Sequence, residues 1–480
     1  MPPTVCRVSE RGARALYALL TLTLASCATV PEVAETSPNA SPSEIRVSGA
    51  HGPLTPRQSQ AILSRLAAQA PDATALERHL ALEQAVAESP LVAGNAVTIL
   101  RDGAETFPAM FKAIHDAQHY LHLEYYIFED VTCNGEHLSD LLIARRQAGV
   151  EIDVIYDGVG SFYTPHEFFD RLRAAGVQFV EFNPPNPLKG GISKVNDRDH
   201  RKILVEDGTR VLLGGVNLSA DYESAPLAKA AEPHVPSGAA PSGAPPGTNK
   251  SGEVWHDTDL EIEGPVVKEI DRLFEQHWQQ HSQSALDMKD PPDGHVSGSE
   301  VVRIIGSTPT KVTSRYYVTV LSALRNAERT AWITAAYFVP THQEMSDLEA
   351  AARRGVDVRL LLPSHGDSPA AIAVQHSHYS KLLKSGIKVY ERSDGVLHTK
   401  AIVIDGVWSM VGSSNFDHRS VLFNDEVDAV ILGKKSGTQL EAMFQADLER
   451  AQPIDLEQWH QRSFGEKFRE RFWRLWEKML

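Results

Sequence analysis

The stretch His200-Arg201-Lys202-Ile203-Leu204-Val205-Glu206-Asp207-Gly208, followed by Gly214-Gly215-Val216-Asn217, decides the reading of this chain. It has an echo: His398-Thr399-Lys400-Ala401-Ile402-Val403-Ile404-Asp405-Gly406, followed by Gly412-Ser413-Ser414-Asn415. Both copies obey H-x-K-x-x-x-x-D with a G-[GS]-x-N sequel. A His and a Lys two apart lie on one face of a strand. Asp-Gly after an apolar run signals a tight hairpin turn. The return strand then brings Asn217 or Asn415 back beside the His–Lys face.

Outward from this motif, the repeat extends. Arg145-Arg146-Gln147-Ala148-Gly149-Val150-Glu151-Ile152-Asp153-Val154 is answered by Arg353-Arg354-Gly355-Val356-Asp357-Val358-Arg359-Leu360, each a helix end, a Gly stop and a β-branched strand. Ala174-Ala175-Gly176-Val177 is answered by Lys384-Ser385-Gly386-Ile387, and the apolar segments 120–128 and 331–339 pair likewise. Strand and helix alternating in this order predict two similar α/β halves with mainly parallel sheets. They run over about 94–284 and 299–455. The first carries an insertion, about 224–253, of Ala, Pro, Ser and Gly that reads as a disordered loop, with a mobile lid as the alternative. Residues 56–93 read as a helical extension, apolar at Ile62, Leu63 and Leu66, then Leu76, Leu80, Leu82 and Val86.

With 480 residues the chain is too long for one core, and 42% hydrophobic against 23% charged residues excludes wholesale disorder or a bundle of membrane spans. A net charge of −15 argues against nucleic acid as a partner, since phosphate backbones reward clustered Lys and Arg. Cys6, Cys27 and Cys133 fit neither a disulfide framework nor a zinc motif.

Cys27 has another use. Arg7, Arg11 and Arg14 precede the apolar run Ala15–Leu24, about half a bilayer span, which closes in Leu24-Ala25-Ser26-Cys27. That closure resembles the lipobox of bacterial lipoproteins. It implies a signal peptide over 1–26, cleavage before Cys27 and a lipid anchor on its thiol. Residues 27–55 would then form a flexible tether, and Ala28 favours the outer membrane, facing the periplasm. Loss of the leader takes the charge to −17.

A His beside a Lys and an Asn suits phosphate chemistry. The imidazole can attack phosphorus or carry a proton at neutral pH. The ammonium and amide can hold the non-bridging oxygens. Two copies at matching places of a repeat speak for a functional pattern rather than a structural one.

The doubled H-x-K-x4-D motif resembles that of the phospholipase D superfamily, over nearly everything from about 94 to 455. The resemblance implies that the halves pack face to face and build one site without a metal or other cofactor. One His would become a phosphohistidine and the other act as general acid, then general base. The near-equivalent repeats leave the two roles open. Family precedent assigns the nucleophile to His200 and the acid to His398. It makes His200, Lys202, Asp207, His398, Lys400 and Asp405 the candidate catalytic set, with Asn217, Ser413 and Asn415 binding phosphate. Asp207 and Asp405 read as turn and salt-bridge residues rather than proton carriers. Family members also orient each imidazole with a carboxylate on the strand after the motif. Aligning the halves on Gly264 and Gly433 sets Asp257 opposite Glu426, so Asp257 is expected to orient His200 and Glu426 to orient His398.

Within the superfamily, Glu124-Tyr125-Tyr126-Ile127-Phe128, Trp255-His256-Asp257-Thr258, Ala336-Tyr337-Phe338-Val339-Pro340, Gly412-Ser413-Ser414-Asn415-Phe416-Asp417-His418-Arg419-Ser420 and Asn424-Asp425-Glu426 resemble bacterial cardiolipin synthases. Those often begin with two transmembrane helices, where this sequence has the lipobox. The resemblance implies a phosphatidyltransferase that makes cardiolipin and glycerol from two phosphatidylglycerols, with phospholipids and a membrane surface as partners. A phospholipase D releasing phosphatidic acid would use the same motifs with water as acceptor. A nuclease or phosphodiesterase is opposed by the negative charge and the anchor, and a lipid-binding scaffold by two intact motifs.

Two pairs of histidines, His277 with His281 and His376 with His378, lack a metal-binding pattern and read as surface residues, and no nucleotide-binding Gly loop is present. Over 456–480 an amphipathic helix carries Phe464, Phe468, Phe472, Leu475, Trp476 and Met479 at helical spacing. Its last twenty residues hold six Lys or Arg and three Glu. It reads either as a membrane-interface helix or as one docked on the body.

Overall fold

Both Asp-Gly pairs close the hairpins expected of them. In the computed structural model, which describes residues 30, 32–33, 45–87, 89–184, 196–223, 253–282, 286, 295–309 and 314–480, Asp207 and Gly208 have φ of 50° and 62°, and Asp405 and Gly406 of 55° and 65°. Positive φ at both central residues gives the turn whose twist matches that of the flanking strands.

Helices α1 (Pro56–Ala67) and α2 (Ala73–Ala87) lead the chain in. Thr55 starts α1 by a reciprocal cap with Gln58, and Pro56 takes the first turn, where no amide hydrogen is needed. The first half follows as β1 (Leu91–Arg101), α3 (Asp102–Asp116), β2 (Tyr120–Tyr125), α4 (Leu138–Gln147), β3 (Glu151–Asp157), α5 (His166–Ala174), β4 (Gln178–Phe182), β5 (Lys202–Glu206), β6 (Arg210–Gly214), β7 (Thr258–Glu263) and α6 (Val267–His281). The second half repeats the order: β8 (Glu300–Ser307), α7 (Arg315–Asn326), β9 (Thr330–Thr334), α8 (His342–Arg353), β10 (Asp357–Pro363), α9 (Pro369–Lys384), β11 (Lys388–Arg392), β12 (Ala401–Ile404), β13 (Trp408–Gly412), β14 (Asn424–Leu432) and α10 (Lys434–Leu448). Helix α11 (Phe464–Trp473) comes last.

The first sheet runs β1-β7-β6-β5-β2-β3-β4. The second runs β8-β14-β13-β12-β9-β10-β11, the same order. The two α/β halves are therefore duplicates in topology. The expectation of mainly parallel sheets is corrected: only β2-β3-β4 and β9-β10-β11, linked by crossover helices, are parallel. The remaining neighbours in these two orders are antiparallel: one pair in each is the motif hairpin, which reverses the chain within three residues, and the others are strands brought together across longer connections. Strand β1 joins the sheets, pairing with β8 at Val92↔Val302 and with β7 from Ala96 to Arg101.

Period-two alternation sorts the side chains. Leu204 and Leu212 enter the first half's own core with Phe111, Leu142 and Leu172. Their neighbours Ile203, Val205, Val211 and Leu213 meet Val403, Val411, Val427 and Ala429 of the second half. The sheets thus pack face to face, as the resemblance implied, and each such buried side chain contributes about 1.5–3 kcal/mol. Leu63 and Leu66 of α1 and Leu76 and Leu80 of α2 pack with Leu321, Leu324, Ile404 and Trp408, so the helical extension docks on the second half rather than on the half it precedes.

Part of the expected tether is ordered: Val47 and Ser48 pair in parallel with Leu91 and Val92, and Ile45 and Val47 are buried. The signal peptide, Cys27 and residues 224–252 of the insertion lie outside the described residues. No helix among the described residues is long and apolar enough to cross a membrane. The 456–480 stretch is not one helix. A short helix, Leu456–His460, ends before Ser463 and Glu466 cap α11 reciprocally, and Arg474–Met479 forms a 3-10 turn. The segment is docked, with Trp473 and Leu480 against Val339, Ala371 and Val374.

Candidate active site

Each motif histidine sits where its strand is crossed by the other half. Arg198–Asp199, just before His200, runs parallel to Asn424–Asp425, just before Glu426. Trp255–His256, just before Asp257, runs parallel to Val396–Leu397, just before His398. The His200 amide donates to Asp425 O at 2.9 Å, and the His398 amide to His256 O at 2.7 Å. These two bridges are equivalent under the duplication.

The bridges exchange the orienting carboxylates, and this corrects the sequence expectation. His200 Nδ1 lies 3.0 Å from Glu426 Oε2, and His398 Nδ1 lies 2.7 Å from Asp257 Oδ2. Both residues were identified from the alignment on Gly264 and Gly433, but each serves the histidine of the other half. With Nδ1 engaged, Nε2 is left as the reactive nitrogen.

The carboxylates are themselves held. Glu426 accepts from Ser413 Oγ at 2.5 Å, Ser420 Oγ at 2.8 Å and Asn424 Nδ2 at 3.0 Å. Ser413, expected on phosphate, is thus directed at Glu426 instead. Its counterpart is Gly215, and a Cβ there would lie 2.1 Å from Asp257 Oδ1, so only glycine leaves room for that carboxylate. Asp257 also accepts the Thr258 amide hydrogen at 2.8 Å. Asn217 accepts from the Ile127 amide at 3.2 Å and donates to Tyr222 Oη at 3.2 Å, and Tyr222 Oη reaches His398 Nδ1 at 3.1 Å. Asn415 is buried, and its Oδ1 has no hydrogen-bond partner among the described residues.

Both lysines are buried and bend back over their own strands. Lys202 Nζ lies 2.5 Å from His200 O, and Lys400 Nζ lies 3.2 Å from His398 Nε2. Burial pushes Lys202 down to about 7, and it lowers Lys400 as well. Burial also takes His200 down to about 4, against the pull of Glu426. His398 is lowered by burial first and by the Lys400 charge second. Burial would raise Glu426, but His200, Lys202 and Ser413 outweigh it and hold the carboxyl below its ordinary value. At neutral pH His200 therefore keeps the lone pair a nucleophile needs.

The motif aspartates stand apart from this chemistry. Asp207 accepts the amides of Gln118, His119 and Tyr120 at 2.7–2.8 Å, and Asp405 those of Glu328, Arg329 and Thr330 at 2.7–2.9 Å. Each lies a whole strand, about 3.3 Å per residue, away from its histidine. They pin the segments leading into β2 and β9 and belong to the hairpins rather than to the reaction, which removes them from the candidate catalytic set.

Several residues were missed. Arg201, between His200 and Lys202, is fully buried and donates to Glu124 at 3.1 Å, Asp425 at 3.3 Å and Glu426 O at 3.3 Å. A charged residue opening a five-residue buried strand was the available signal. His277, read as a surface residue, is buried with Nδ1 2.8 Å from Glu124. His378 is buried 2.8 Å from Glu477, and His376 is half-buried at 2.8 Å from Glu391. Their helices turn these positions inward, where a carboxylate meets each ring. Glu124, Asp199 and His277 bring ligand-type atoms within 4.8 Å of one another, and Arg201 already supplies positive charge to that group. Aromatic rings wall the site: Trp255 at 5.2 Å, Tyr222 at 5.7 Å and Tyr337 at 6.1 Å from His398, and Tyr126 at 5.4 Å from His200.

Known proteins share this arrangement of sequence. A family model described as "Cardiolipin synthase, PLD-like domain" matches residues 110–225 and 320–448. A cardiolipin synthase of Geobacillus sp. (strain WCH70) is 32% identical over 404 residues, 84% of this chain and 76% of that one. Cardiolipin synthase A of Pseudomonas aeruginosa (strain LESB58) is 33% identical over 364 residues, 75% of this chain and 68% of that one. The phosphatidylserine synthase of Haemophilus influenzae Rd KW20 has a similar fold, with a TM-score of 0.58 at 13% identity over 83% of this chain and 99% of that one.

Proposed function

This chain belongs to the cardiolipin synthase family of phospholipase D-like proteins, and we propose that it transfers a phosphatidyl group from one phosphatidylglycerol to another, giving cardiolipin and glycerol. The observation that carries the reading is the pair of imidazoles, His398 buried and His200 half-buried, each held at Nδ1 by a carboxylate of the opposite half and each beside a buried lysine.

His200 Nε2 attacks phosphorus, and the bond from phosphorus to the glycerol headgroup oxygen breaks. That oxygen is a poor leaving group and takes a proton from His398. The phosphatidyl group now rests on His200. A hydroxyl of the second phosphatidylglycerol gives its proton to His398 and attacks phosphorus, and His200 leaves. Lys202, Lys400, Asn217 and Asn415 hold the phosphate oxygens as charge shifts. An anionic phosphodiester beside His398 favours the imidazolium, which offsets the lowering caused by burial and makes the acid available when substrate is bound. The rings of Trp255, Tyr222 and Tyr337 support a lipid hydroxyl over water as acceptor. The lipobox supports a bacterial envelope lipoprotein anchored at Cys27 and facing the periplasm.

Incubation with phosphatidylglycerol in detergent micelles, with products resolved by mass spectrometry, tests the reaction. Cardiolipin plus glycerol is expected. Phosphatidic acid plus glycerol, without cardiolipin, would make the protein a hydrolase.

A further inference from the structure

Among the described residues, the large hydrophobic side chains that stand exposed are Phe162, Tyr163, Val296, Phe464, Phe468, Phe472, Leu475 and Trp476. All but Val296 fall into two patches, and each patch is braced against one wall of the active site. Phe162 and Tyr163 stack edge to face in the loop between β3 and α5. Ser161, next to them, donates to Tyr126 O at 3.2 Å and accepts from the Phe128 amide at 3.1 Å. Gly160 passes so close that a Cβ would lie 2.0 Å from Tyr126 O. Tyr126 is the ring beside His200.

The second patch lies on α11 and the turn after it. Trp473 and Leu480 pack in one cluster with Tyr337 and Val339, and Tyr337 is a ring beside His398. The docked side thus touches the site wall, while Phe464, Phe468 and Phe472 lie on the outer side, four residues apart, with Phe464 83% exposed. Lys467, Arg469, Arg471, Arg474 and Lys478, interspersed with them in sequence, are also exposed. Residues 461–480 carry six Lys or Arg against three Glu, in a chain whose net charge is −15. Aromatic rings flanked by cations are the composition of a surface that settles into the headgroup region of an anionic bilayer.

We propose that these two patches form one interfacial surface that seats the active-site mouth on an anionic phospholipid bilayer, α11 on the His398 side and the Phe162–Tyr163 loop on the His200 side. The proposal rests on the phospholipid reading of the site for the choice of lipid as occupant. It gives the enzyme an attachment besides the proposed acyl anchor, one that orients the site toward lipid headgroups.

Sedimentation with vesicles tests it without turnover. The chain from Ala28 to Leu480, which carries neither the apolar leader nor the proposed anchor, is spun with vesicles of phosphatidylglycerol and phosphatidylcholine, or of phosphatidylcholine alone. It should pellet with the mixed vesicles, and the triple variant Phe468→Ser, Phe472→Ser, Leu475→Ser and the double variant Phe162→Ser, Tyr163→Ser should each bind at least tenfold more weakly. Arg469→Glu with Arg471→Glu changes only exposed positions and should abolish the preference for phosphatidylglycerol, so the proposal stays testable if a serine variant misfolds. Equal binding by all variants, or equal binding to phosphatidylcholine alone, overturns it. So does self-association that is lost in the serine variants without any vesicle binding, since the occupant is then a second copy. Failure of the unsubstituted chain to make cardiolipin would sink the proposed reaction and leave this surface standing.

Discussion

The Nδ1 atom of His200 lies 3.0 Å from Oε2 of Glu426, 226 residues away in the chain and in the opposite half. The matching contact, His398 to Asp257, crosses in the other direction. Neither half therefore contains a complete histidine–carboxylate pair, and the proposed reaction depends on the halves being packed together.

The first prediction separates the two pairs. In the His398→Ala background, with a p-nitrophenyl phosphodiester whose leaving group needs no acid, the phosphoryl group should still reach His200. Adding Glu426→Gln should slow that adduct by on the order of 10³- to 10⁴-fold, as expected when an orienting carboxylate behind a catalytic histidine is lost. Adding Asp257→Asn should leave it nearly unchanged. The reverse pattern, read by quenched-flow mass spectrometry, would restore the pairing expected from sequence.

In otherwise unaltered protein, His200→Ala and His398→Ala should both abolish turnover but stop at different steps. His200→Ala should form no covalent species. His398→Ala should accumulate an adduct on His200 with the activated substrate. An adduct on His398 in the His200→Ala protein would exchange the two roles, and one on any other residue would reject the mechanism.

The rate of adduct formation should be bell-shaped in pH. His200 is held down to about 4, so its lone pair is present above that pH and lost as pH falls through it. Lys202 is held down to about 7, so its charge is present below that pH and lost as pH rises through it. Second-order rates in the His398→Ala protein should show limbs near these values, which report the free enzyme. Lys202→Arg, charged throughout, should remove the alkaline limb; a limb that stays would assign it to another group.

Asp207→Ala should act on stability rather than chemistry. It removes the side-chain acceptor of three amides, of Gln118, His119 and Tyr120, at a cost of about 1–3 kcal/mol. Calorimetry should show a lowered melting temperature, while adduct formation well below that temperature keeps the pH limbs of the parent. Loss of the adduct in folded protein would return Asp207 to the catalytic set.

Cys27→Ala should prevent incorporation of radiolabelled palmitate in the bacterial host. Equal labelling of variant and parent would remove the lipid anchor from this account.

Much of this molecule is written locally. A hairpin needs only an apolar run, Asp-Gly and a second run, and all its determinants lie within about fifteen residues, so His200, Lys202, Asn217 and their copies could be placed at or just beyond the open ends of the two hairpin strands by counting. The duplication could be counted too, and it put Asp257 and Glu426 at equivalent positions. Helix–strand alternation reads the crossovers and the Asp-Gly pairs read the hairpins, but the antiparallel pairs β5–β2, β6–β7 and β7–β1 and their copies join strands across longer connections, which no local pattern reports.

Tertiary structure alone decided which carboxylate serves which histidine. Asp257 and Glu426 are interchangeable in pattern, and the choice is made by two short parallel bridges between segments far apart in sequence, whose approach depends on how the sheets pack. Burial was decided there as well. His277 sits on a helix with exposed and buried faces, and only docking shows that its ring meets Glu124. The lowered proton affinities of His200 and Lys202 follow from the same enclosure, since desolvation is a property of what surrounds a group and not of its neighbours in the chain. Sequence by itself determined the chemical groups and the strands that carry them; the packing of one half on the other determined their partners, their charge states and the site they share.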